Sequence, residues 1–112
     1  MASMTNKLLK IVVFVPESHA DLVREAIGRT EAGTIGNYTE CTFSVSGTGR
    51  FRSEQGAHPA TGQVGELAEE RMERIEAVCP RDILQRTIAA IKEVHPYETV
   101  GIDIYPLEDL IL

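Results

Sequence analysis

Tryptophan is absent, and cysteine and histidine are scarce: two and three in 112 residues. Cys41 and Cys79 stand far apart, with no CxxC pair and no histidine at zinc-ligand spacing, which excludes the common zinc motifs. They read as two buried thiols, with a single disulfide as the alternative. Long apolar runs are missing too. The longest, Ile11 to Val15, falls far short of the roughly 20 residues that a membrane span needs. The opening Met1-Ala2-Ser3-Met4-Thr5-Asn6 has no basic region followed by an apolar one, so it does not read as a signal peptide. Residues 1–7 read as a flexible start. These features together predict a cytoplasmic protein. Basic charge is also in deficit, with 11 Lys and Arg against 17 Asp and Glu and a net charge of −6. That balance argues against a nucleic-acid binder, which usually carries a basic face. No repeat, low-complexity tract or linker divides the chain.

The apolar content of 43% suffices for one folded domain of this length, placed at 8–112. Leu8 to Val15 is almost continuously apolar and rich in Ile and Val, the mark of a central strand buried on both faces. Pro16 ends it, and Ser18 is the expected N-cap of a helix through about Thr30, with Leu22, Val23, Ala26 and Ile27 on one face. Glu40 to Ser46 alternates, which predicts a half-buried strand with Cys41, Phe43 and Val45 pointing inward. A Gly-rich loop follows at about 47–65, with Gly47, Gly49, Gly56, Gly62 and Gly65. So long a connection is uncommon in a compact domain and often functional.

The stretch Glu69 to Val78 is ambiguous. Its Glu and Arg content favours a helix by propensity, while its partial alternation allows a strand. Pro80 opens the next helix, with Ile83, Leu84, Ile88 and Ile91 as its apolar stripe and an end before Pro96. Tyr97 to Tyr105 is the last strand, with Val100, Ile102 and Ile104 on one side. The apolar end Leu110-Ile111-Leu112 is expected to pack on something. Taking 69–78 as a strand gives βαββαβ, the ferredoxin-like α+β sandwich: two helices on one face of a four-stranded antiparallel sheet. Its other face is then uncovered, which predicts a homo-oligomer, a trimer for preference.

The residues Gly36-Asn37-Tyr38-x-x-Cys41-x-Phe43, Gly47-x-Gly49-x-Phe51-x-x-x-x-Gly56-x-x-Pro59, Gly62-x-x-Gly65 and His95-Pro96-Tyr97-Glu98, with Val13-Phe14-Val15-Pro16-Glu17-Ser18-His19, resemble the YqfO family. The chain is similar to the insert domain of those dinuclear-metal-centre hexameric proteins, in its stand-alone form. The resemblance covers positions 9 to 107. It implies a CutA-like or PII-like trimer with sheets at its centre and a strand over Glu70 to Val78. The family's two-metal site lies in lobes with no counterpart here, so its ligands do not carry over.

His95-Pro96-Tyr97-Glu98 sets an imidazole and a carboxylate at one turn. His95 and Glu98, with Cys41 as a third member, are candidate ligands for a divalent transition metal. The alternative is a rigid turn whose polar groups satisfy the backbone and a neighbouring subunit. Gly47, Gly49, Arg50 and Arg52 form a candidate ligand loop. They lack the third glycine of a dinucleotide fingerprint and the GK[ST] of a Walker loop. Arg50 and Arg52 still suit a carboxylate or phosphate, against the alternative of a structural loop with paired arginines. His58 and His19 read as solvated. No serine or cysteine triad has its context. The expected function is a non-enzymatic trimeric module that senses a small ligand or metal between subunits. A divalent-metal-binding protein is the second reading, and a small metal-dependent hydrolase the third.

Overall fold

The structure, a computed structural model, describes residues 7–108. The termini, including Met1 to Asn6 and Leu110-Ile111-Leu112, lie outside them. The elements run β1 (Leu8–Pro16), a 3-10 turn (Glu17–His19), α1 (Ala20–Arg29), β2 (Phe43–Arg52), β3 (Leu67–Pro80), a second 3-10 turn (Arg81–Ile83), α2 (Leu84–Val94) and β4 (Gly101–Pro106). The sheet order is β2-β3-β1-β4. Every pairing is antiparallel, with Val13 opposite both Ile75 and Ile102. This is the ferredoxin-like α+β sandwich.

The core lies between the sheet and the helices. Ile11, Val13 and Val15 of β1 meet Ile75, Ala77 and Cys79 of β3, Val23 and Ile27 of α1 and Ile91 of α2. Among the described residues it contains no aromatic ring. Thr87 carries the polar contact between the helices. Its hydroxyl donates to the Ile83 carbonyl at 2.9 Å and sits 2.9 Å from the Thr30 hydroxyl.

Stretch 69–78 is strand, against its local helix propensity. At roughly 3.3 Å per residue, the 14 residues of β3 outrun the helices. Only Ile75, Ala77 and Cys79 lie fully beneath them, while Glu69 and Arg71, on the same side, meet solvent. The charged half therefore pairs as strand without showing a hydrophobic face.

Several expectations need correcting. The second strand is Phe43–Arg52, so Gly47 and Gly49 belong to it, opposite Met72 and Glu70, and the loop shrinks to 53–66. Phe43 and Val45 do not point into the core. They lie on the sheet face opposite the helices, 64% and 49% exposed, because Ser44 takes the helix side against Arg24 of α1. Ser18 does not cap α1; its hydroxyl bonds the His19 ring instead, and no side chain caps that helix. Leu22 faces solvent. Pro80 ends β3 and leads into a 3-10 turn before α2. The last strand begins only at Gly101. Cys41 and Cys79 are free thiols; Cys79 is buried, whereas Cys41 precedes β2 and is only half-buried.

The open face of the sheet is not apolar throughout. Lys10, Val12 and Phe14 of β1 lie there. Glu76 of β3 takes Lys10 at 3.4 Å and Arg74 at 2.9 Å, and the Arg74 guanidinium stands 5.6 Å from the Phe14 ring centre. Arg74 first, then Lys10, holds the Glu76 carboxyl below the usual carboxylate range. Val12, opposite Glu76 of this cluster, is fully buried on a face that carries no helix.

Candidate functional site

At the β1 C-terminal end of the open face, a cleft of about 350 Å³ opens between the sheet and the 53–66 connection. Phe14, Phe51, Met72 and Tyr97 supply its apolar walls, Gly49 and Gly101 its floor, and Glu98 and Thr99 its polar rim; Arg50 also borders it, between Gly49 and Phe51. Three of the six aromatic residues of the chain meet here. Gly49 makes room for the Met72 side chain. A Cβ at Gly49 would overlap the Met72 side chain, and one at Gly101 would reach Phe14 at 3.7 Å.

The connection is tied down at both ends. Gly65 N–H donates to the Ser53 carbonyl at 2.7 Å, and Arg52 donates to the Gly65 carbonyl at 2.7 Å. At its tip, His58 N–H donates to Glu98 Oε1 at 2.7 Å, and His58 Nδ1 lies 3.5 Å from Oε2. His58 thus finds its partner 40 residues away, which no local pattern announces. Thr61 donates to Glu70 Oε2 at 3.1 Å, and the Tyr97 phenol donates to Glu70 Oε1. Burial, then the Glu70 carboxylate, pushes the Tyr97 phenol well above its ordinary pKa. Phe51 meets Tyr97 edge-on, with ring centres 5.8 Å apart.

His95 positions this wall. It is buried at the end of α2, where Pro96 forces its backbone out of helical geometry (ψ 135°). Nε2 lies 2.8 Å from the Phe14 carbonyl, and Nδ1 accepts the Tyr97 N–H at 3.1 Å. An acceptor on one nitrogen and a donor on the other fix the neutral Nε2–H tautomer. Burial lowers its pKa below 6.5; the Phe14 bond opposes this, and His19 adds to the lowering.

The three candidate metal ligands are not brought together. Both nitrogens of His95 are engaged, Glu98 holds His58, and Cys41 lies in a second pocket with Lys10, Ile35, Phe43 and Glu76. Lys10 and Phe14 mark the two sites on β1, about 13 Å apart at strand rise. Among the described residues, no set of three or more His, Cys, Asp or Glu side chains is placed to hold a metal ion. The candidate ligand loop divides similarly. Gly49 and Arg50 line the cleft, Gly47 is ordinary strand, and Arg52 is spent on the Gly65 carbonyl. Arg50 pairs with Glu69 at 3.1 Å. Phe14, Phe51 and Met72 were not singled out as site residues from the sequence. Their shared face emerges only once β2 is extended to Arg52.

No family model matches the chain. Among curated proteins it is 46% identical over 103 residues to the GTP cyclohydrolase 1 type 2 homolog of Halalkalibacterium halodurans, covering 92% of this chain and 28% of that protein. The homolog of the same name from Bacillus subtilis is 43% identical over 104 residues, again with 28% of its length covered. The chain matches one segment of these proteins. It spans a little over a quarter of their length. Among solved structures, a Bacillus cereus protein related to NIF3 superposes with a TM-score of 0.81 at 41% identity, over 96% of this chain and 27% of that one. The periplasmic divalent cation tolerance protein CutA of Archaeoglobus fulgidus superposes with a TM-score of 0.68 at 14% identity, over 93% of this chain and 87% of its own. CutA1 of Thermus thermophilus gives 0.67 at 19%. The fold is CutA-like. Among the described residues, no helix is long and apolar enough to cross a membrane.

Proposed function

We propose that this chain is a non-catalytic, self-associating binding module, a trimer, which holds a small ligand at the cleft beside Tyr97 and Glu98 where subunits meet. The observation that carries the reading is the open sheet face: every Phe of the chain and Tyr105 stand on it, and a shaped cleft opens into it. Aromatic residues are enriched where proteins associate. The cleft walls are rings, a thioether and bare backbone, a surface suited to binding. The neighbours called divalent cation tolerance proteins suggest a metal as the ligand. The turn at His95 does not favour that choice, since an imidazole engaged at both nitrogens must break a hydrogen bond to ligate. The cyclohydrolase name belongs to proteins more than three times as long, and a regulatory or binding part within such proteins suits the quarter matched here.

Light scattering after size exclusion tests the assembly. A mass near three times the 12.3 kDa of the chain is expected, and a clean monomer at micromolar concentration overturns it. Zinc or copper added to untagged protein is expected to bind no tighter to the native chain than to His95→Ala. A loss of affinity in that variant would restore the metal reading.

A further inference from the structure

We propose that the cleft between Phe51, Tyr97 and Glu98 takes a small organic cation, an amine with a flat or alkyl body, rather than an anion or a bare metal ion. The inference rests on the reading that this cleft is a ligand site and names the class of ligand.

Three observations lead to it. The first is the distribution of charge around the cleft. Glu98 stands on the rim about half exposed, and its carboxylate has accepted only the His58 N–H at 2.7 Å, with the His58 ring at 3.5 Å. A carboxylate offers about four lone-pair sites, so acceptor capacity remains. Among the described residues, Arg50 is the one cationic residue of the lining, and its guanidinium is held at 3.1 Å by Glu69 on the helix side of the sheet. Arg52 is turned onto the Gly65 carbonyl. The chain as a whole carries −6. An anion entering here would meet an unneutralised carboxylate and no free guanidinium.

The second observation is the walls. Phe51 and Tyr97 meet edge-to-face at 64°, forming a corner, and Met72 lines the cleft with them. Aromatic faces attract ammonium groups, more strongly where water is excluded. Phe14 already behaves this way toward Arg74, whose guanidinium lies 5.6 Å from its ring centre. A bare metal ion prefers converging oxygen, nitrogen or thiolate donors, whereas an organic cation uses rings for its body and one carboxylate for its charge.

The third is rigidity. The Tyr97 phenol is anchored on Glu70, its N–H on His95, and the 53–66 connection on Glu98. The corner exists before a ligand arrives, so binding spends little on ordering it.

The test titrates the full chain with 2-phenylethylammonium and with 3-phenylpropanoate, a close match in shape with opposite charge, followed by amide NMR shifts. The cation is expected to perturb Phe51, Tyr97 and Glu98 and to bind about tenfold or more tightly than the anion. Glu98→Gln keeps an acceptor for the His58 N–H and removes only the charge. It should weaken the cation about tenfold and tighten the anion, whose repulsion by the carboxylate it removes. Equal affinity for both probes in the native chain, or shifts centred elsewhere, overturns the inference even if the variant fails to fold. Light scattering on the same samples separates the two readings. A trimer that ignores the cation overturns this inference alone. A monomer that binds it at Phe51 and Tyr97 upholds this inference and overturns the placement between subunits.

Discussion

His95 shows how one residue ties the core to the cleft. Its Nε2–H holds the Phe14 carbonyl and its Nδ1 holds Tyr97, so protonation at Nδ1 must release the Tyr97 N–H. Burial keeps its folded-state pKa below the unfolded value of 6.5. Below that value the unfolded chain takes up the proton first. The contribution of His95 to stability is therefore full above pH 6.5, falls as pH drops through the unfolded value, and levels off below the folded one. Urea midpoints measured between about pH 7.5 and 5.5 should fall, and His95→Gln should flatten that fall. Gly33 makes a second residue-scale case. Its φ is +82°, and an added Cβ would sit 2.8 Å from the Cys41 carbonyl oxygen. Its carbonyl also accepts the Cys41 N–H at 2.9 Å. Gly33→Ala should cost about 2–3 kcal/mol in urea unfolding, and a smaller loss would mean that the 34–42 connection yields.

At the scale of elements, the two helices are joined by more than aliphatic packing. Thr30 closes α1, Thr87 is buried within α2, and the Cys79 thiol of β3 points at the Thr87 hydroxyl at 3.7 Å. Burial pushes that thiol above its ordinary pKa, so it stays protonated as a donor. Thr87→Val keeps the volume and removes the hydroxyl. It should cost about 1–2 kcal/mol by urea melts, since Thr30 and Cys79 lose a buried partner. The elements also differ in how openly the sequence carries them. β1 is announced by its apolar run and α2 by its stripe of Ile and Leu. β3 is not, because half of it extends past the helices and carries charge on both sides. The extent of β2 was hidden for the opposite reason: glycines at 47 and 49 look like loop, yet they sit in register with Met72 and Glu70.

The whole molecule divides its apolar residues by kind. Among the described residues, the helix-side core is aliphatic apart from the Cys79 thiol. Phe14, Phe43, Phe51 and Tyr105 lie across the open face, and their register puts them there on three strands. Phe43 and Val45 are exposed on that face, next to the charge cluster of Lys10, Glu76 and Arg74. If the face is the meeting place of subunits, Phe43→Glu should shift the mass in light scattering toward 12.3 kDa while leaving circular dichroism unchanged. A variant that remains assembled would move the interface elsewhere.

The sequence by itself determined β1 and its central place, the two helices, and the turn at Pro96, because periodicity and proline act locally; the strand over 69–78 is not fixed by its own residues. It also marked His95, Tyr97 and Glu98 as neighbours. Only the tertiary structure decided what they do. His95 became a positioning residue because β1 brings the Phe14 carbonyl to it from 81 positions away. Cys41 was separated from it because the 34–42 connection leads to the Lys10 end of β1. The cleft belongs to no single segment: register sets Phe14, Gly49, Met72 and Gly101 on one face of four strands, and the 53–66 connection folds back over them. Such a surface is a property of pairing, and pairing depends on contacts between residues too far apart in the chain for local pattern to record.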